Sequence, residues 1–180
     1  SASEKLKGLD LSYKKSNYLI ESKKYEGSMS NIVLPYVDSL QTNGSFKNGS
    51  HTIAYNMYLL DDAKANIVIS HGFIERKEKY KEAIYYFLKM GYQVFILDHS
   101  GHGSSSRECP DSSMIHVEAY ENFASDLNAF ITGTVQKHSK GLKTILFGHS
   151  MGGAIAALTV ENHPELVDGL ILNAPMLKIK

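Results

Sequence analysis

The hydrophobic pattern of the chain changes near residue 66. Beyond that point four short apolar stretches are continuous rather than alternating, at residues 67–69, 94–97, 144–147 and 170–172. Continuous stretches of this length are typical of strands that are buried on both faces of a parallel sheet. The pattern therefore predicts four parallel strands after residue 66.

Helical spacing separates these predicted strands. Tyr80, Ile84 and Leu88 recur every fourth residue, and Gly91 marks the end of that helix. A helix of roughly twenty residues is predicted by apolar side chains three or four positions apart, at Tyr120, Phe123, Leu127, Phe130, Ile131 and Val135. A third, alanine-rich helix ends at Pro164. Alternating strands and helices predict an α/β fold with a mostly parallel sheet and flanking helices.

The part of the chain before residue 66 has a different character. The first thirty residues mix lysines with scattered apolar side chains, and we interpret residues 1–30 as a lead-in segment whose lysines form a solvated face. Turn signals follow at Asn43–Gly44 and Asn48–Gly49. Partial alternation through Ile53, Tyr55 and Met57 comes after the second signal and predicts an antiparallel hairpin there.

Composition and charge exclude several classes of protein. The 180 residues hold 19 Lys and Arg against 19 Asp and Glu, without a basic block, so nothing indicates a nucleic-acid partner. One cysteine, Cys109, cannot form a disulfide framework and fits a reducing compartment. No apolar stretch is long enough to span a membrane, and no signal peptide pattern opens the sequence. We therefore expect a cytoplasmic location.

The clearest chemical motif is Gly148-His149-Ser150-Met151-Gly152, which fits G-x-S-x-G. It lies between an apolar strand and a helix of small residues. A serine on such a tight strand-to-helix turn needs very small neighbours two positions away on either side, and the helix N-terminus offers N–H groups to a developing oxyanion. The alternatives are a glycine-rich helix entry or a phosphate cradle, but no dinucleotide or P-loop motif is present. We favour Ser150 as a nucleophile.

Two further polar turns follow predicted strands at the same edge of the sheet. The first is His71-Gly72-Phe73, where the Phe73 N–H is the best candidate for a second oxyanion donor beside that of Met151. For His71 itself we prefer a buried, bracing role over proton transfer. The second turn begins at Asp98 and contains His99 and His102, whose spacing would suit a metal; however, no further ligand is near, and we expect a bracing turn and no metal site.

Four motifs in this order resemble one known family. "SHGFIERKEKY", "DHSGHGSSSR", "FGHSMGG" and "LILNAPM" look like the α/β-hydrolase fold, and in particular its monoacylglycerol lipase and bacterial lysophospholipase branch, also described as serine-aminopeptidase-like hydrolases. The resemblance extends from about Met29 to Met176. It implies that residues 31–180 are the N-terminal portion of an α/β-hydrolase core domain, with the C-terminal part and the lid missing.

The resemblance also implies a set of roles. Ser150 would be the nucleophile, and the backbone N–H groups of Phe73 and Met151 would form the oxyanion hole. His71, Gly72, Gly148, His149 and Gly152 would support them. The implied substrate is a lipid-like acyl ester on a glycerol or lysophospholipid backbone, with no cofactor; transient contact with a membrane surface stays open.

The base that such a serine needs is hard to find in this chain. In this fold the acid and then the histidine follow the serine. His163 lies about 20 Å along the same helix, and Glu161 and Glu165 fail for the same reason. Asp168 precedes a strand and so lies at the opposite edge. We expect the acid and base beyond Lys180, and almost no esterase activity from residues 1–180 alone.

Three alternatives remain at this point. A rearranged triad could use His71 or His99, which, like His102, lie at the correct edge but precede the serine in the chain. A peptidase or amidase of the same fold would share every motif that we name, because the nucleophile half does not distinguish esters from amides. A non-catalytic binding protein could keep the turn around Ser150 as architecture.

Overall fold

The computed structural model describes residues 25–71, 77–99 and 117–173. Helix α1 opens this part in three consecutive stretches, Tyr25–Ser28, Met29–Val33 and Leu34–Leu40, of which the middle one is π-helical. Helix α1 passes through residue 30. The predicted boundary between the lead-in segment, residues 1–30, and the core domain, residues 31–180, stays a prediction.

The other helices occupy the predicted positions. A 3₁₀ turn at Lys77–Tyr80 leads into α2, Lys81–Lys89. Helix α3 continues from Val117–Phe130 through a π-helical stretch to end at His138, and α4 is Met151–Asn162. None of the helices in the described ranges is long and apolar enough to cross a lipid bilayer.

Within the described ranges, six strands form one mixed sheet. They are β1 Gln41–Asn48, β2 His51–Tyr58, β3 Ala65–Ser70, β4 Tyr92–Leu97, β5 Thr144–His149 and β6 Gly169–Asn173, in the spatial order β1-β2-β4-β3-β5-β6. Strands β1 and β2 form an antiparallel hairpin, and β2 also pairs antiparallel with β4. The other neighbours, β4, β3, β5 and β6, are parallel. The predicted α/β fold, with a mostly parallel sheet behind an N-terminal hairpin, is confirmed.

One predicted turn is wrong. Asn43–Gly44 lies inside β1, where Gly44 pairs with Tyr55 across the hairpin. A Cβ at Gly44 would lie 2.3 Å from the Tyr55 ring, so this glycine makes room for an aromatic side chain rather than for a turn. The second signal is correct, because the hairpin turns at Gly49, whose φ of 62° suits glycine.

Hydrophobic cores lie on both faces of the sheet, as continuous apolar strands require. Along β3, Val68 faces α3 and α4, whereas Ile67 and Ile69 face α1 and α2. Strand β4 alternates in the same way. Four of its core residues are fully buried: Val94, Phe95, Ile96 and Leu97. The parallel strands are thereby fixed in register, and their carboxyl ends come together at one edge.

Candidate active site

Ser150 occupies a strained backbone conformation between β5 and α4. Its φ is 56° and its ψ is −126°, a region that residues with a side chain rarely adopt. Such a conformation costs about 1–3 kcal/mol and persists only where the surroundings enforce it. The Ser150 N–H donates to the carbonyl oxygen of Asn173 at 3.0 Å, which ties the turn to the end of β6.

The two motif glycines enforce this turn by letting backbone segments touch. A Cβ at Gly148 would lie 2.6 Å from the Gly153 Cα. A Cβ at Gly152 would lie 2.2 Å from the carbonyl oxygens of both Ser70 and His71. Real Cβ atoms essentially never approach backbone this closely, so both positions require glycine. The first turn of α4 therefore packs directly on the end of β3.

The start of α4 offers N–H groups to the space beside Ser150. The Ser150 carbonyl accepts from Gly153 at 2.9 Å and from Ala154 at 3.4 Å, which begins the helical hydrogen bonding. The Met151 N–H precedes these and belongs to the first turn, where N–H groups have no acceptor within the helix. The positive end of the helix dipole adds to the attraction for a negatively charged oxygen there.

A buried polar cluster lies where β3 and β4 end. Asp98 and His99 directly follow β4, His71 follows β3, and all three are fully buried. Lys77 donates from Nζ to Asp98 Oδ2 at 2.9 Å. The His71 Nε2 lies 3.4 Å from Asp98 Oδ1. We name Ser70, His71, Lys77, Asp98 and His99 the strand-end cluster.

Ser70 joins this cluster to the helix that begins after Ser150. Its hydroxyl donates to the Gly152 carbonyl at 2.8 Å. Since a hydroxyl carries one proton, the 2.9 Å contact between His99 Nε2 and Ser70 Oγ is a donation from the histidine to the serine. The end of β3 and the first turn of α4 are therefore linked by side-chain hydrogen bonding as well as by backbone packing.

The sequence predicted some members of the strand-end cluster and missed others. Asp98 and His99 were expected in a bracing turn, and His71 was expected as a buried brace, a role that its contact with Asp98 supports. Ser70 and Lys77 were missed. A polar residue that closes an apolar strand is a usable signal for Ser70, but nothing in the sequence marks Lys77, because lysines are usually exposed.

Several predicted residues lie outside the described part of the chain. Gly72 and Phe73, the predicted oxyanion loop, fall between His71 and Lys77. His102 and Cys109 fall in the other internal gap. The roles suggested for these four residues stay predictions.

A cavity of about 520 Å³ lies beside the turn on the α2 face of the sheet. His149 and Asn173, which flank the Ser150 turn, line it together with Tyr80, Phe147 and Glu82. The rings of Tyr80 and His149 are 6.5 Å apart in an edge-on arrangement. Aromatic and polar groups are thus mixed immediately next to the candidate nucleophile.

The pKa of Tyr25 is raised from its ordinary value by a hydrogen bond to Glu82 and by the charge of that carboxylate. Tyr25 donates to Glu82 Oε2 at 2.8 Å. This contact connects the start of α1 to Glu82, a residue that lines the cavity.

The described acids and bases that follow Ser150 in the chain lie away from it. His163 caps the C-terminal end of α4, about 18 Å along a twelve-residue helix. Asp168 accepts from the Thr144 N–H at 2.9 Å, at the start of β5 and hence at the opposite edge of the sheet. No hydrogen bond joins the Ser150 hydroxyl to another side chain within residues 25–71, 77–99 and 117–173.

Comparisons with known proteins agree with this arrangement. A family model described as "Serine aminopeptidase, S33" matches residues 61–180. The chain is 39% identical to Lysophospholipase L2 of Escherichia coli (strain K12) over 113 residues, which are 63% of this chain and 33% of that protein. It is 38% identical to the human Monoglyceride lipase over 114 residues, 63% of this chain and 36% of that protein. The chain therefore spans about a third of the length of these curated relatives.

Solved structures show the same fold. A thermostable carboxyl esterase from Bacillus coagulans, in complex with glycerol, matches with a TM-score of 0.62 at 27% identity, over 73% of this chain and 43% of the esterase. A soluble variant of Monoglyceride lipase from Saccharomyces cerevisiae matches with a TM-score of 0.59 at 18% identity, over 73% and 43% of the two chains. With its six-stranded mixed sheet and the strained serine turn of its motif, this chain belongs to the serine aminopeptidase S33 family of α/β hydrolases.

Proposed function

We propose that this chain carries the nucleophile half of a serine ester hydrolase that acts on a monoacylglycerol or lysophospholipid-like ester. The observation that carries the proposal is the strained backbone of Ser150 at the N-terminus of α4. A serine between two obligatory glycines carries backbone strain that reduces the stability of the fold. Such strain would have no purpose if the Ser150 side chain only filled space in the core. It presents the hydroxyl at the carboxyl edge of the sheet, where α/β proteins bind ligands.

The proposed reaction uses Ser150 Oγ as the attacking atom. The oxygen attacks the ester carbonyl carbon while a base removes its proton, and the carbonyl oxygen becomes an oxyanion. The Met151 N–H, and the proposed Phe73 N–H, stabilise that oxyanion. Collapse of the intermediate releases the alcohol, which takes the proton from the base, and leaves an acyl group on Ser150. Water then releases the fatty acid by the same steps in the second half of the reaction.

The base and its acid partner are proposed to lie outside the described residues. His163 and Asp168 are placed too far from Ser150, and the relatives named above are about three times as long as the region that matches. The lipid-like substrate is proposed from the names of those relatives, which are a lysophospholipase and a monoglyceride lipase.

A fluorophosphonate probe on the full-length natural protein tests the nucleophile. We expect one covalent adduct at Ser150, located by peptide mass spectrometry, and none in Ser150→Ala. Absence of an adduct from correctly folded protein would contradict the proposal and favour a non-catalytic binding protein.

A substrate comparison tests the reaction class. Long-chain monoacylglycerols and lysophospholipids are expected to be hydrolysed in preference to aminoacyl amides. The reverse preference would indicate a peptidase or amidase, the alternative that the family name itself favours.

A further inference from the structure

A second cavity, of about 300 Å³, lies at the N-terminal hairpin. Its lining comes from β1 and β2, together with Lys77 from the 3₁₀ turn before α2. None of the residues that line it also lines the 520 Å³ cavity beside Ser150. We call it the hairpin cavity. It is a separate space, and the reaction proposed for Ser150 does not use it.

The side chain of Asn56 is a buried polar group in the lining of the hairpin cavity. Asn56 is 3% exposed. No hydrogen bond joins its side-chain amide to another residue within the described ranges 25–71, 77–99 and 117–173. Buried polar groups are nearly always hydrogen-bonded, because a buried amide without a partner destabilises the fold. The Asn56 amide, with donor hydrogens on its nitrogen and an acceptor oxygen, is therefore available to a molecule in the cavity.

A second amide stands next to this one. Asn43 lies directly opposite Asn56 in the register of the hairpin, and opposite residues of an antiparallel pair carry their Cβ atoms on one face, about 5 Å apart. The Asn43 Oδ1 accepts from Gln41 Nε2 at 2.8 Å, and Gln41 Oε1 accepts from the Tyr58 hydroxyl at 2.8 Å. These bonds hold the Asn43 oxygen toward Gln41, so its amide nitrogen can donate elsewhere. One small ligand can reach both asparagines.

The charges around the hairpin cavity do not favour an ion. Among the described residues that line it, Lys77 alone is charged, and its Nζ donates to Asp98 Oδ2 at 2.9 Å. Because this carboxylate compensates the ammonium charge, the attraction for an anion is weak. An apolar ligand would leave the Asn56 amide buried without hydrogen bonds. A hydroxyl group both donates and accepts, so it suits an amide that does both.

We propose that the hairpin cavity binds a small uncharged polyol, whose hydroxyl groups form hydrogen bonds with Asn43 and Asn56. A volume of about 300 Å³ is at the lower end of the range for ligand cavities, which suits a molecule of a few carbon atoms. Such cavities use a few polar groups to orient the ligand, and side-chain amides are among them. The site does not depend on the reaction proposed for Ser150.

The test is a titration of the full-length natural protein with glycerol as the probe. Asparagine-selective isotope labelling makes the side-chain amides visible by NMR, and the variants Asn43→Ala and Asn56→Leu assign the two signals. We expect both signals to shift saturably with a Kd of about 1 mM, an affinity within the limit for so small a ligand. The control ligand n-propanol, which has the same carbon chain and one hydroxyl, is expected to bind about tenfold more weakly.

The variants test the two amides separately. Asn56→Leu replaces the buried amide by an apolar group of similar volume and is expected to weaken glycerol binding about tenfold. Asn43→Ala, at an exposed position of β1, is expected to weaken it about fivefold. Asn162→Ala is the control, because it removes an exposed amide at the end of α4 that does not line the cavity, and it should keep the wild-type Kd.

Unfolding curves show which variants fold, and Kd is compared only for those. Shifts that rise linearly with glycerol and never saturate would show that glycerol acts only as a cosolvent, and they would overturn the proposal. A wild-type Kd in folded Asn43→Ala or in folded Asn56→Leu would also overturn it, as would tighter binding of n-propanol than of glycerol. If Asn56→Leu does not fold, the Kd of Asn43→Ala decides alone.

Discussion

The turn around Ser150 and the strand-end cluster lie at the same edge of the sheet but are built in opposite ways. The turn depends on two residues without side chains, Gly148 and Gly152, which allow backbone segments to touch. The strand-end cluster is made by buried charged and polar side chains, with Asp98 at its centre. Backbone contact fixes the position of the candidate nucleophile, whereas polar contacts fix what surrounds it. The two regions should therefore respond differently to small substitutions.

Replacing the serine itself has the largest expected effect, and it separates strain from chemistry. Ser150→Ala and Ser150→Gly both remove the proposed nucleophile and are expected to lower kcat by roughly a millionfold. Glycine adopts a φ of 56° without strain, which removes about 1–3 kcal/mol of backbone strain from the folded state. This gain exceeds the destabilisation of about 0.5–1 kcal/mol that comes from the greater conformational freedom of glycine in the unfolded chain. We expect Ser150→Gly to unfold at higher urea concentration than Ser150→Ala. Equal or lower stability would show that the turn is not strained.

A methyl group at Gly152 is the next largest perturbation. Its Cβ would meet two backbone carbonyl oxygens at 2.2 Å, and neither is at the flexible end of a side chain. Gly152→Ala is expected to lower the free energy of unfolding by about 3 kcal/mol, which is the upper part of the range for overpacking. We also expect it to abolish fluorophosphonate labelling of Ser150. In the control, Gly133→Ala, the added Cβ meets nothing within 4 Å, and the gain should be about 0.5–1 kcal/mol. Urea unfolding of both variants measures the contrast, and a tolerated Gly152→Ala would contradict the close backbone contact.

Removing one hydroxyl from the strand-end cluster should have a smaller effect. Ser70→Ala removes the donor that bonds to the Gly152 carbonyl and the acceptor that His99 Nε2 contacts. Loss of buried partners of this kind costs about 2 kcal/mol. Ser39, whose hydroxyl bonds to Tyr36 at the surface, is the matched control, and Ser39→Ala should change stability by less than about 0.5 kcal/mol. Equal losses in the two variants would mean that burial does not strengthen the Ser70 contacts.

The smallest effect is expected at the contact between Tyr25 and Glu82. The folded-state pKa of Tyr25 is raised above its ordinary value of 10.0, so the stabilisation is fully present at pH values below 10 and is lost as the pH rises through the raised value. Tyr25→Phe should therefore be slightly less stable than wild type at neutral pH, and the difference should vanish at high pH. Thermal unfolding at both pH values measures this. A difference that persists above the raised pKa would refute the contribution of the hydrogen bond.

The contrast between the two regions also explains how far the sequence could be interpreted. The strands after residue 66, the helices and the turn at Ser150 follow local rules of spacing and residue size, and the structure has them where the pattern predicts. The Asn43–Gly44 turn failed because the glycine there accommodates Tyr55, a partner eleven residues away across the hairpin. The Lys77–Asp98 pair could not be predicted, since it joins residues twenty-one positions apart by a contact that only the folded sheet brings together.

The conformation of Ser150 belongs to the position more than to the amino acid. It is imposed by the glycines on either side and by the bond from the Ser150 N–H to Asn173, and none of these contacts involves the serine hydroxyl. The backbone strain is the same for any residue with a side chain. The geometry of the turn therefore does not depend on which reactive side chain stands at position 150. A thiol or a carboxylate could replace the hydroxyl there while the turn stays the same. That modularity gives one architecture access to several kinds of covalent chemistry.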